Sequence, residues 1–156
     1  MSEEDFRWRE TYFVYFDSRR RPKLDEVRAL VAGLRGHFQV ADGEAADDGR
    51  IESLTIHSPQ DYAALEIDYL AGDEVRAEGQ TLASALKPGE GVDRTKLTRL
   101  SKFDARFDLM HFEAVPDDDP DDPDEMFDPS ALLTVFEALR HLTQGVGVDP
   151  QAGILY

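Results

Sequence analysis

The stretch TYFVYF, Thr11 to Phe16, decides the fold, because it is aromatic and apolar on both of its alternating faces. Side chains of a strand leave its two faces in turn, so a segment with two apolar faces has to be covered on both sides. It reads as a strand in the middle of a sheet. The rest of the chain is arranged around it.

Downstream, Pro22 suits a first helical turn, and Leu24, Val27, Leu30, Val31 and Leu34 recur at helical spacing before Gly36, which predicts a helix closed there. Asp25 and Glu26 near its start and Arg35 near its end suit the helix dipole. The segments HFQVAD, IESLTIH and ALEIDYL then read as three strands, and their short links predict antiparallel neighbours. Asp73 is placed to cap a helix running to Leu86, with Val75, Leu82 and Leu86 inward and Gly79 allowing close approach.

The basic segment DRTKLTRLSK predicts one or two helical turns, and Ala105 to Val115 predicts a strand. Asp128 and Pro129 form an N-cap and first-turn pair for a last helix with Leu132, Val135, Phe136, Leu139 and Leu142 as its buried stripe and Gly145 as its end. In the tail, Asp149-Pro150 and Gly153 mark a turn between two short strands. The order β-α-β-β-β-α-(α)-β-α-β predicts an α+β two-layer sandwich, a mainly antiparallel sheet with helices on one face. A ferredoxin-like core is the first topology to expect from it.

The length of 156 residues fits one domain, 1–156, which can bury roughly two thirds of its unfolded surface. With no cysteine, disulfides, zinc-thiolate sites and thiol nucleophiles are excluded, and the cytoplasm is the expected compartment. The start, MSEEDFRWRE, does not read as a signal peptide, and no window approaches the roughly 20 apolar residues of a membrane span. Acidic residues number 33 against 17 basic, a net charge of -16, which disfavours nucleic acid and anionic lipid. Eight of the carboxylates fall between Asp117 and Asp128, and setting them aside leaves 25 against 17.

That acidic stretch begins as a calcium loop does, with Asp117, Asp119 and Asp121 at positions 1, 3 and 5. It then departs from one. Asp122 stands where the sharp turn needs glycine, and Pro120 and Pro123 restrict the wrap. The stretch at 116–127 therefore reads as a flexible acidic loop, with Met126 and Phe127 anchoring its end.

Nucleotide-binding, zinc-peptidase and serine-hydrolase motifs are absent, and no cofactor is expected. Candidate metal ligands are Glu66 with Asp68, and His111 with Glu113, because residues two apart on a strand leave the same face. Alternation alone also puts polar residues there, on the open face of an antiparallel sheet. If the two strands are neighbours, the four side chains could converge. His37 at the first helix exit, His57 before a turn and His141 four residues after Glu137 each have an ordinary structural place. The loop DSRRRPK offers Arg19, Arg20 and Arg21 as an anion-binding group.

The expected function is a non-catalytic binding or regulatory domain, acting through protein contact or as a homodimer. Two alternatives are a small metal-dependent enzyme using the sheet-face carboxylates and histidine, and an acidic immunity-type inhibitor covering a basic protein. The inhibitor reading requires its acidic patch to lie on one rigid face.

Overall fold

The computed structural model describes residues 6–35, 38–58, 63–89, 91–114 and 130–156. The acidic stretch at 116–127, the Asp128-Pro129 cap, Gly36 and His37 lie outside them. Seven strands form one sheet: β1 (Phe6–Phe16), β2 (Gln39–Ala45), β3 (Ile51–Ser58), β4 (Ala63–Ala71), β5 (Ala105–Ala114), β6 (Val146–Asp149) and β7 (Ile154–Leu155). Their order is β2-β3-β4-β5-β1-β6-β7, and every neighbouring pair is antiparallel. The helices are α1 (Leu24–Ala32), α2 (Asp73–Ala85), α3 (Arg94–Leu100) and α4 (Ser130–Thr143).

The antiparallel α+β sandwich expected from the sequence is the fold observed. β1 is an interior strand, one place from the central β5. In the sub-order β4-β5-β1-β6, β1 lies between β5 and β6, the two strands that α4 connects. β2, β3 and β7 lie toward the edges, and α2 and α3 are placed between β4 and β5.

The two faces of TYFVYF explain where the helices go. Tyr12, Val14 and Phe16 join the main core with Phe107, Leu109, Leu65 and Ile67, under Val27 and Val31 of α1 and Leu132, Val135, Phe136 and Leu139 of α4. Phe13 and Tyr15 point the other way, into a smaller cluster with Val75 of α2, Leu97 and Leu100 of α3, and Val146 and Val148. The principal helices thus occupy one face, while α2 and α3 add a partial second cover. A strand with two apolar faces demands that cover.

Local signals set most boundaries. Glu26 accepts the Lys23 backbone N–H at 3.1 Å, and Gly33 ends α1 earlier than the expected Gly36, since glycine disfavours a helix interior. The residue capping α2 is Gly72, at φ 124°, with Asp73 as the first helical residue. Asp93 caps α3 by accepting the Thr95 N–H at 2.6 Å. Gly79 lets α2 approach closely, because a Cβ there would lie 3.1 Å from the Leu100 carbonyl and 3.4 Å from the Tyr15 ring. The apolar C-terminus pairs at the sheet edge, Val148 opposite Leu155, and Leu155 is buried.

Candidate functional site

The register of β4 on β5 places Leu65 opposite His111 and Asp68 opposite Asp108. Directly opposed residues share a face. His111 and Glu113 therefore lie on the face of Leu65 and Leu109, toward α1 and α4, while Glu66 and Asp68 lie on the other face. The two strands are neighbours, yet the four candidate ligands do not converge. Among the described residues, no group of three or more histidines and carboxylates is placed to hold a metal ion.

Each half acquires a different companion. On the principal face His111 is fully buried, with Nδ1 3.3 Å from Oε2 of Glu10, its partner across β1. Glu113 is also buried, and that burial raises its pKa against the opposing pull of Arg9 and His111. A cleft of about 300 Å³ opens nearby, lined by Trp8, Arg9, Glu10 and Gln151. Arg9 stands at a bulge in β1, where the register to β5 shifts between Trp8 and Glu10. Tyr12 donates to Asp149 Oδ2 at 3.1 Å, and burial together with that carboxylate raises the phenol's pKa.

On the other face Glu66 and Asp68 are joined by Asp108, a carboxylate that pairing with β5 brings beside them. All three are half-buried, with Thr55 of β3 opposite Glu66 and Met110 of β5 flanking. Burial raises the pKa of Asp68, and Glu66 and Asp108 add to the rise; burial likewise raises that of Asp108, which Arg106 opposes. Arg106 is itself engaged by Glu78 of α2, by Asp108 at 2.6 Å and by the Tyr15 hydroxyl at 3.3 Å. Helices α2 and α3 cover the Tyr15 end of this face. Toward Thr55, Glu66 and Met110, no helix among the described residues packs on it.

The arginine loop is largely spent on its own structure. Asp17 holds Arg19 through both carboxylate oxygens, and hydrogen bonds from the Arg19 side chain and backbone lower the Asp17 pKa to about 2. Ser18 donates from its backbone and hydroxyl to Asp104, each at 2.8 Å. Arg21 donates to the Ile51 carbonyl at 2.9 Å and stacks 4.1 Å from the Tyr69 ring centre. Arg20 is exposed. Arg19 and Arg21 thus serve different partners. His141 lies 4.0 Å from Glu137, whose carboxylate is taken by Arg140 at 2.9 Å.

These shifts fix a pH dependence. Asp68, Asp108 and Glu113 have folded pKa values above their unfolded ones, so their charged forms oppose folding at neutral pH. That cost is relieved as pH falls through the raised values. Asp17 and Glu137 are lowered, and their contribution is present above the unfolded values and lost as pH falls further. Both are too exposed to outweigh the first group. Calorimetry from pH 8 downward should show the melting temperature rising as the medium is acidified below neutrality, until the lowered carboxylates begin to protonate. A maximum at or above pH 7 would contradict this assignment.

No protein-family model matches the chain, and no curated protein or solved structure matches it either. No described helix is long and apolar enough to cross a membrane.

Proposed function

We propose that the chain is a non-catalytic binding domain that takes a basic segment of another protein on the part of its sheet that no described helix covers. One observation carries the reading: Asp68 stands directly opposite Asp108 and beside Glu66 on one sheet face, and among the described residues Arg106 pairs with Asp108 but no ion pair reaches Asp68 or Glu66. Like charges opposed across strands destabilise a sheet by a few tenths to about 1 kcal/mol. A half-buried carboxylate in that setting gains most from an arriving guanidinium or ammonium, which relieves the repulsion and donates charge-assisted hydrogen bonds. An inhibitor that covers a basic protein is one form of this activity, and the position of Glu66, Asp68 and Asp108 on paired strands is what supports it.

The test is titration of the isotope-labelled protein with an arginine-rich peptide, followed by backbone amide shifts. Shifts should centre on Thr55, Glu66, Asp68, Asp108 and Met110, and fade between low and high salt. Asp68→Asn should weaken binding roughly tenfold, about 1.4 kcal/mol, while raising the melting temperature. The exposed control Asp47→Asn should do neither. Shifts that avoid this face, or that survive Asp68→Asn unchanged, would sink the reading.

A further inference from the structure

We propose that the chain also forms a two-fold homodimer by antiparallel pairing of the outer edge of β1, with Trp8 at the axis. β5 pairs with β1 from Phe6 to Phe16, whereas β6 pairs with it only from Phe13 to Tyr15. Among the described residues no strand pairs with Phe6 to Tyr12 on that outer side. An open ladder edge is a template for another strand.

The bulge determines what the edge presents. Glu10 lies opposite His111, Trp8 opposite Phe112 and Arg7 opposite Glu113. Trp8 therefore shares a face with Phe112, and Arg7 and Glu10 share the other. In a two-fold pairing centred on Trp8, with the bulged Arg9 of each copy left out of the register, Arg7 comes opposite the second copy's Glu10, twice by symmetry, and the two indoles meet on one face. Among the described residues Trp8 is the most exposed of the large hydrophobic side chains, at 55%.

The other edges lack this self-complementarity. β2 carries Asp42 and Glu44 and a register shift between Val40 and Gly43, so two such edges repel. On β7 the Leu155 N–H is already bonded to the Gly91 carbonyl. Among the described residues, only β1 brings both signs of charge to an edge that no described strand pairs with. Because each copy carries a net charge of -16, salt should strengthen this dimer, whereas it weakens capture of a basic peptide.

Sedimentation of the wild-type protein at micromolar concentration should give twice the chain mass, more completely at higher salt, and Trp8→Lys should return the monomer. The chain has no cysteine, so Trp8→Cys supplies a register test. Opposed residues of an antiparallel pair bring their Cβ atoms within about 5.5 Å, near disulfide range. Trp8→Cys should crosslink between chains at least tenfold faster than the exposed control Ser84→Cys. A wild-type monomer at every concentration and salt, or crosslinking no faster than the control, would overturn the proposal and mean that Arg7 and the bulge guard the edge.

Discussion

Gly147→Ala is expected to cost about 2 to 3 kcal/mol, a severe penalty for one added methyl group. Gly147 sits in β6 opposite Val14, and a Cβ built there would lie 2.2 Å from Cζ of Phe136 and 2.9 Å from its Cε1. Real contacts of that length do not occur, so either the strand or the ring must move. The ring has little room: Phe136 is fully buried, edge-on to Tyr12 at 5.0 Å and to Tyr156 at 5.5 Å. A close-packed interior does not absorb such a displacement locally. For a chain of this size the loss should appear as a melting temperature lower by about 5 to 10 °C. Phe136→Leu removes the clashing ring atom, so the double variant Gly147→Ala/Phe136→Leu should be more stable than the sum of the single losses, with coupling above about 0.5 kcal/mol. A Gly147→Ala protein melting within 1 or 2 °C of wild type, roughly the noise of surface substitutions, would show that α4 and β6 are less tightly wedged than they stand here.

The same wedge shows what a sequence can convey. Phe136 is legible as part of a helical stripe, and Gly147 as a small residue in a short strand. Their contact joins elements whose separation is set by packing, which no local pattern states. TYFVYF is legible because both of its faces are apolar, and the two-sided cover follows from that alone. The N-terminal half of β1 is not, because FRWRE carries two arginines and a glutamate and the bulge at Arg9 breaks its alternation. No local pattern there marks Glu10 as the companion of His111.

The candidate site divides in the same way. Spacing of two within β4, or within β5, gives a shared face from sequence alone. Whether the faces of two strands agree depends on register, and pairing Leu65 with His111 sets them opposite. Glu66 and Asp68 lie where alternation puts polar residues, on the less covered face. His111 and Glu113 occupy positions that alternation assigns to the core, and the sheet tolerates them because Glu10 and Arg9 supply opposite or hydrogen-bonding groups. The third carboxylate, Asp108, was hidden for the reverse reason: within ARFDLMHF it reads as an ordinary polar position, and only the pairing brings it to Asp68.

Arg106→Ala should be the more costly way to disturb that face, by about 3 kcal/mol. Arg106 is 9% exposed, and its guanidinium serves three partners and lies 5.0 Å from the Phe13 ring centre. The partners are unequal. Glu78 is more than half exposed and can turn to water, so its ion pair contributes little. Asp108 is only 21% exposed and cannot, so removing the arginine strands a carboxylate whose charge burial already opposes. Burial also opposes the charge on Arg106, but Tyr15, Glu78 and Asp108 together raise its pKa. Two further variants separate charge from packing. Arg106→Met alone keeps the apolar stem over Phe13 and should recover part of the loss; combined with Asp108→Asn it removes the stranded charge and should recover most of it. The pH dependence has a definite sign. Without Arg106 the folded pKa of Asp108 rises further, so the penalty present at neutral pH is relieved as pH falls through that value. The stability gap between Arg106→Ala and wild type should therefore be narrower at pH 5 than at pH 8, by denaturant unfolding. A gap that stays constant or widens on acidification would mean that the loss lies in packing against Phe13 and Tyr15, and that Asp108 finds another cation on the same face.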